Sequence, residues 1–412
     1  MTTQSLRGMA GQGPMHWRGD RTAGSVGGDP MDEFGAFRQF NGAFVGLIGN
    51  ATELADADIN KFAEFILQVQ YPPNPNRPLD NNLTLKQQAG SNFYFTAPST
   101  AGFLTCNTCH VIDPAQGFFG TNGEMSFENG TQEFKIPHLR NAYQKVGMFG
   151  IPRMDGIFTR ISSTSQHMGD QVRGFGFVHD GSIDTLKNFH QADLFSSSDT
   201  EADNLAQFMY AMDNTQRPIV GQQTSITGNA ITPRLQLFID QMIAGNSELI
   251  AKASIDDQQR GWFRQSDRSF QSDDGFADAI TLNELLQLAS ISRPITFTAV
   301  PNGTAVRMGV DRDNDLILDA NDNCPGTPNE NQLDSNDDGI GDACPLLCEG
   351  DFDNDGDVDG IDASTFSADF GRLNCNSSEP ACEGDFDADG DVDGIDASLF
   401  SQDFGRLDCP IF

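Results

Sequence analysis

Cys106-Asn107-Thr108-Cys109-His110 decides how the first half of the chain is read. Two thiols two residues apart can each form a thioether to one side of a porphyrin. The adjacent imidazole can then reach the iron as its first axial ligand. A zinc half-site and a redox-active dithiol are the alternatives. Zinc would want a second Cys/His pair at matching spacing, and none follows in this part of the chain. A thioredoxin-like dithiol would sit in a βαβ pattern, which is also missing. The pentapeptide therefore predicts one covalent haem c.

Working outward, the flanks read as helical. Ile59, Phe62, Ala63, Ile66 and Val69 recur on one face of a helix over residues 56–70, with Asp56 or Asp58 as its cap. Tyr71-Pro72-Pro73-Asn74-Pro75 stops it. A second helix is predicted from Thr84 towards Phe95, just before the cysteines. A third, from about Thr200 to Asp213, places Leu205, Phe208, Met209 and Met212 on one face, a stripe read as core. The chain has 32 Phe against 4 Tyr, a filling that suits a dry pocket wall. Residues 229–309 are less informative. A helix is expected from Arg234 to Ile243. A hairpin is expected between Ile295–Val300 and residues 304–308 across Pro301-Asn302-Gly303.

The net charge is −34, unevenly spread: from Asp311 onward lie 28 of the 59 Asp and Glu but only three of the 25 Lys and Arg. That excludes a basic nucleic-acid footprint. No run of 18 apolar residues marks a membrane span. Six of the eight cysteines, Cys324, Cys344, Cys348, Cys375, Cys382 and Cys409, fall in the acidic tail, an even number suited to disulfides and to an oxidising compartment. No charged-then-apolar leader follows Met1, so the expectation is a fragment whose export signal lies upstream.

The tail is built on alternating carboxylates, whose oxygens converge on one hard cation. Asp311, Asp313 and Asp315 continue to Asp319 and Asp322; Asp334, Asn336 and Asp338 continue to Asp342. Leu316 stands where a turn glycine would be expected, which should strain the first loop. Two further loops are near copies at an offset of 34: Asp351, Asp353, Asp355, Asp357, Asp359 and Asp362, then Asp385, Asp387, Asp389, Asp391, Asp393 and Asp396. Gly356 and Gly390 sit at the sixth position of each, and a short helix should follow each loop. Cysteines repeat with the same offset, predicting Cys348–Cys375 and Cys382–Cys409 bridges.

Three resemblances follow. The frame from Asp322-Asn323-Cys324-Pro325 to Gly341-Asp342-Ala343-Cys344 resembles thrombospondin type 3 repeats. The paired loops resemble a dockerin module, which implies calcium and a cohesin-like or cell-surface partner. Cys106–His110, Phe134-Lys135-x-Pro137-x-Leu139-Arg140-Asn141, and His179-Asp180-Gly181 with Thr185-Leu186 resemble the second haem domain of the di-haem cytochrome c peroxidase and MauG-like family. Leu6-Arg7-Gly8 lines up with Leu139-Arg140-Asn141, as the tail of a first haem domain would.

That last resemblance implies roles. The Pro137 carbonyl takes the His110 ring proton, and Arg140 pairs with a haem propionate. The family's methionine, fourteen residues after His179, is Asp193 here, so Met148 and then His190 become the candidates for the sixth iron ligand. His179 and Asp180 would move protons if peroxide entered.

The expected architecture is multidomain. Residues 1–30 are the tail of a first haem domain, 31–83 a helical linker and 84–221 a mainly α c-type cytochrome domain. Residues 222–310 form a small α+β module, 311–344 thrombospondin-type calcium repeats, and 345–412 a dockerin-like pair of calcium loops with short helices. The expected function is a secreted redox protein of the di-haem peroxidase-like group, served by a redox partner protein or small electron donor and anchored by its tail. The alternatives are an electron-transfer cytochrome without turnover and a calcium-dependent matrix or cohesin-type assembly protein.

Overall fold

The computed structural model describes the chain except residues 1–5, 14, 16–28, 30, 99–101, 127–133, 148–173, 175, 179–180, 182, 193–194, 256–257, 336–338, 345–349, 374, 376–381, 388, 408 and 410–412. Two compact units form: Met1–Gln222 with Gln236–Ser247, and Gln223–Leu235 with Glu248–Phe412. Among the described residues no helix is long and apolar enough to cross a membrane.

The first unit holds α1 (Glu33–Arg38), α2 (Asn41–Gly46), α3 (Asp56–Gln68), α4 (Leu85–Thr96), the single turn α5 (Cys106–Cys109), α6 (Leu186–His190) and α7 (Asp199–Tyr210). Two small antiparallel ribbons join them: β1 (Ile112–Asp113) with β2 (Phe118–Phe119), and β3 (Met125–Ser126) with β4 (Phe134–Lys135). Helix α4 starts where a capping box fixes it, the Thr84 hydroxyl accepting from the Gln87 amide while the Gln87 side chain accepts from the Thr84 amide. It lies against α7 so closely that a Cβ at Gly90 would come within 2.0 Å of the Asn204 carbonyl oxygen. Their shared core joins Tyr94, Leu139, Leu186, Leu205, Phe208, Met209 and Met212, with Cys106 at its edge. The methionine stripe is thus core packing. On α3, Ile59, Ala63 and Ile66 are buried as the period predicts, whereas Phe62 is half-exposed and stacks on Phe37.

Residues 31–83 were expected to be a linker, but they are integral to this unit. Asn74 donates to the carbonyls of Tyr210 and Met212, Asn214 donates to that of Pro72, and Tyr71 packs on His138. A proline-rich stretch lacks its own hydrogen-bond ladder, so side-chain amides supply the attachment.

In the second unit, β5 (Gln223–Ile226), β6 (Glu248–Ile255), β7 (Gln258–Arg264), β8 (Phe270–Ser272) and β9 (Ile295–Val300) form an antiparallel sheet in the order β5-β9-β6-β7-β8. Helix α8 (Pro233–Ile243) holds residues of both units, and α9 (Leu282–Gln287) follows β8. The expected hairpin after β9 is corrected: residues 305–309 are helix α10 (Ala305–Gly309). The Glu248 carboxylate accepts the Thr304 and Ala305 amides and caps it, while β9 pairs with distant β6. The tail adds α11 (Gly360–Asp369) and α12 (Gly394–Asp403).

Candidate functional sites

The two loops before α11 and α12 are interlocked. Val358 donates to Arg406 O and accepts from Gly405; Val392 donates to Arg372 O and accepts from Gly371. Each loop therefore pairs with the strand of chain that leaves the other helix. Phe366 and Phe400 stack at 4.9 Å between them, over Val358 and Val392, which are fully buried. This exchange corrects the predicted bridges. The Cys375 amide bonds to Gly390 O, beside the second loop, and Cys375 is disulfide-bonded to Cys382, not to Cys348. Cys409 in turn donates to Gly356 O beside the first loop and is disulfide-bonded to a residue outside those described. Cys324–Cys344 closes the preceding repeat.

The carboxylates converge as a cation requires. Asp351, Asp353 and Asp355 bring ligand oxygens within 4.8 Å of one another, as do Asp357, Asp359 and Asp362; Asp385, Asp387 and Asp396; Asp391, Asp393 and Asp396; and Asp311, Asp313 and Asp315. The last carboxylate of each paired loop is fully buried and aimed by backbone amides. Asp362 accepts from Phe352 and Asp359, each at 2.8 Å. Asp396 accepts from Phe386 and Asp393 at 2.8 and 2.7 Å. Asp313 Oδ2, Asp357 Oδ1 and Asp385 Oδ1 are buried without any hydrogen-bond partner. Burial, and then neighbouring carboxylates, push Asp313, Asp353, Asp357 and Asp391 above the usual carboxylate range. Asp387 rises chiefly by burial. Orphaned oxygens among crowded like charges fit an oxygen-liking divalent cation. Asp389 belongs to the second loop by spacing but is outside its tightest groups.

The earlier repeats are less complete. Asp319 takes the Arg312 amide and guanidinium at 2.9 and 3.4 Å, and Asp322 accepts from Cys324 and Gln332. Leu316, half-way round the first loop, has φ 80° and stays exposed. In the next repeat Asp334 accepts from Gly339, and Asp342 from Ser335. Asn336 and Asp338 lie outside the described residues.

The Cys-x-x-Cys-His turn is the second candidate site. Cys106 and Cys109 form no disulfide and are half-buried and exposed respectively. Tyr94 OH donates to the His110 carbonyl, holding the end of α5 against α4. His110 Nδ1 lies 3.0 Å from Gly120 O and 3.2 Å from Pro137 O, so its ring proton is held there and Nε2 is left to act as a base or ligand. Burial lowers the His110 pKa, against the pull of those two carbonyls. His110 as a whole is half-buried.

Lys135, Arg140 and Lys145 are the charges that act on His138, next to the Pro137 carbonyl that faces His110. Lys135 is buried with no partner for Nζ, and burial brings it down to about 8 despite Glu33. Arg140 is buried; its Nη2 donates to Gly8 O at 2.8 Å and its face covers Phe119 and Tyr71, but its Nε has no partner. His138 Nδ1 accepts from the Arg140 amide, so Nε2 carries the proton towards Tyr71 OH. Spacing alone had marked neither Lys135, His138 nor Lys145. The Phe134–Asn141 stretch contained the first two, but their partners come from residues 33 and 71. His190 is buried on α6. Met148, His179 and Asp180 lie outside the described residues.

Comparisons with known proteins agree with the tail. Residues 349–404 match the dockerin type I domain. Residues 310–332 match the thrombospondin type 3 repeat. The dockerin match covers both interlocked loops, and the tail is a calcium-binding module. No curated protein matches the chain. A chain of Kuenenia stuttgartiensis hydrazine synthase, solved under xenon pressure, is similar at 14% identity and a TM-score of 0.34, over 51% of this chain and 71% of that one. A match of that level carries no weight for the fold or activity of the first unit.

Proposed function

We propose that the chain is a calcium-dependent assembly protein, whose dockerin-like tail folds around calcium and docks an extracytoplasmic partner of cohesin type. The interlocked loops with orphaned carboxylate oxygens carry this reading. The docking surface is duplicated: Ile361, Phe370 and Leu373 are exposed, and so are Ile395, Phe404 and Leu407, 34 residues on. Apolar side chains repeated on the outside of so acidic a module suit a partner's surface. The tail's disulfides accord with an oxidising compartment. The test is calcium titration of the full chain, followed by binding to a panel of cohesin modules with calcium and with chelator. Calcium-dependent binding to at least one cohesin is expected; calcium uptake with no cohesin bound in either condition rejects the docking half.

A second reading concerns the first unit: a covalently attached haem c for electron transfer, with peroxide reduction as its enzymatic form. Its support is the fixed Nδ1 tautomer of His110 beside two cysteines that form no disulfide, together with unpaired Lys135 and Arg140 nitrogens that two propionates would satisfy. When bound, the haem supplies one-electron chemistry. Cys106 and Cys109 would tether it, His110 would ligate it, and Arg140 and Lys135 would face its carboxylates. His179 and Asp180 are the proton-handling pair in the peroxidase form. Expression in a host that matures c-type cytochromes should yield pigment that stays with the denatured chain. Colourless protein rejects this reading, and pigmented protein inert to peroxide leaves electron transfer alone.

A further inference from the structure

Cations are scarce in this chain, at 25 Lys and Arg against 59 Asp and Glu. Yet four of them, Lys252, Arg260, Arg307 and Arg312, line one cleft of about 470 Å³ in the second unit. Three elements bring them together. In the ladder between β6 and β7, Lys252 pairs with Gly261 and Ala253 with Arg260. Helix α10 lies on that pair so closely that a Cβ at Gly261 would come within 1.9 Å of the Gly309 carbonyl oxygen. Any side chain at 261 would push the helix away, and with it Arg307, which stands in the helix's last turn. The chain then enters the first calcium loop, whose Asp319 amide donates back to Val310 O at 2.8 Å. That return brings Arg312 and Asp319 to the remaining wall.

The charges in the cleft do not cancel. Two carboxylates line it, and both are engaged. Buried Asp273 accepts from Arg260 Nε and from the Gly261 amide, each at 2.8 Å. Asp319 accepts from the Arg312 amide at 2.9 Å and from its Nε at 3.4 Å. Among the described residues neither Lys252 nor Arg307 has an ion-pair partner. Carboxylates outnumber cations more than two to one in this chain, so partners are not in short supply. The cleft keeps two positive charges in a protein of net charge −34, and the acidic surroundings that repel an anion elsewhere make this a place that attracts one.

We propose that this cleft binds a small organic anion carrying two carboxylates, one met by Lys252 and the other by the Arg307 guanidinium. A planar fork takes a carboxylate through two parallel hydrogen bonds, and the volume is that of a small-ligand site. Exposed Met308, beside Arg307, gives the carbon chain between the carboxylates an apolar edge. Calcium tightens the site. Arg312 stands between Asp311 and Asp313, two carboxylates of the first calcium group. An ion held there steadies the wall that carries Arg312 and Asp319, and by reciprocity the anion favours the ion.

The test is isothermal titration calorimetry on the calcium-loaded full chain, with succinate as the probe. Succinate should bind saturably at one site, its neutral diamide should not bind, and sulfate should not displace it. Lys252→Gln and Arg307→Gln should each weaken succinate about tenfold or more, the loss of one charge-assisted contact. Arg268→Gln, at an exposed arginine in the turn after β7, should leave it unchanged. Stripping calcium with a chelating resin should weaken succinate several-fold. Heat that does not saturate, a diamide that binds as well, or succinate binding that neither glutamine variant weakens overturns the site. Displacement by sulfate overturns the dicarboxylate assignment, and equal affinity with and without calcium overturns the linkage. Both substituted side chains are exposed, and circular dichroism checks that the variants fold; if one does not, the diamide and sulfate titrations of the unaltered chain decide.

Discussion

The calcium tail and the Cys-x-x-Cys-His unit assemble their sites in opposite ways. In the tail every ligand of a loop lies within twelve residues, and the second loop copies the first at a fixed offset. In the first unit the Cys106–His110 residues are contiguous, but what conditions them is remote. The acceptors for His110 come from Gly120 and Pro137, and the charge facing Lys135 comes from Glu33. A site drawn from one short segment can be read from spacing. A site drawn from several segments shows only its anchor.

The largest expected effects separate the two regions. Chelating calcium should abolish amide-exchange protection across 349–404 while the first unit keeps its own, measured by hydrogen-exchange mass spectrometry. Uniform protection with chelator present would break the contrast, because the loops would then fold without a cation. Conversely, Cys106→Ser with Cys109→Ser should remove all chain-bound pigment and leave calcium uptake unchanged.

Next in size is Asp396→Ala. It removes a buried carboxylate that accepts two backbone amides, and should lower the stability of the calcium-loaded tail by roughly 3 kcal/mol, seen as a drop in its melting temperature. The same change at exposed Asp389 should cost much less. Equal losses would mean that burial does not rank the ligands.

A pH experiment sharpens the contrast further. Asp313, Asp353, Asp357, Asp387 and Asp391 sit above the usual carboxylate range in the folded, cation-free tail. Asp342, Asp369 and Asp396 sit below that range and act with the opposite sign. The raised groups should make the calcium-free tail lose stability as pH rises through their elevated values, and the lowered three should make it lose stability as pH falls through theirs. With calcium the trend set by the raised groups should reverse, because protonation competes with the ion. Denaturant melts at pH 3.5 and 7 with and without calcium read this directly.

The smallest effect tests one residue. Leu316 holds φ 80°, a conformation that costs an ordinary side chain roughly 1–2 kcal/mol. Leu316→Gly should raise the stability of the first repeat by about 1 kcal/mol and tighten its calcium binding, whereas Gly356→Ala, at φ 98°, should do the opposite to its own loop.

Helices α4, α7, α11 and α12 were legible because local caps and stops agree; α3 was legible from its apolar period, but the expected cap is corrected, since its N-cap is Ala55 and Asp56 and Asp58 lie inside the first turn. The helix at 305–309 was not, because a carboxylate 57 residues away caps it. Residues 31–83 read as a connector because prolines carry no ladder signal, while the asparagine bonds that attach them have no periodicity. The disulfide pairing failed for a related reason. A repeat in sequence implies equivalent environments, but not that each copy closes on itself.

That exchange reaches beyond the bridges. Because Val358 is held by the chain leaving α12 and Val392 by the chain leaving α11, neither loop can open without loosening the other's anchorage. Occupancy should accordingly rise steeply with ion concentration, as in a latch with two bolts on one bar. Between an ion-poor cell interior and an ion-rich exterior, such a latch would stay undone until the protein arrived where its partner is.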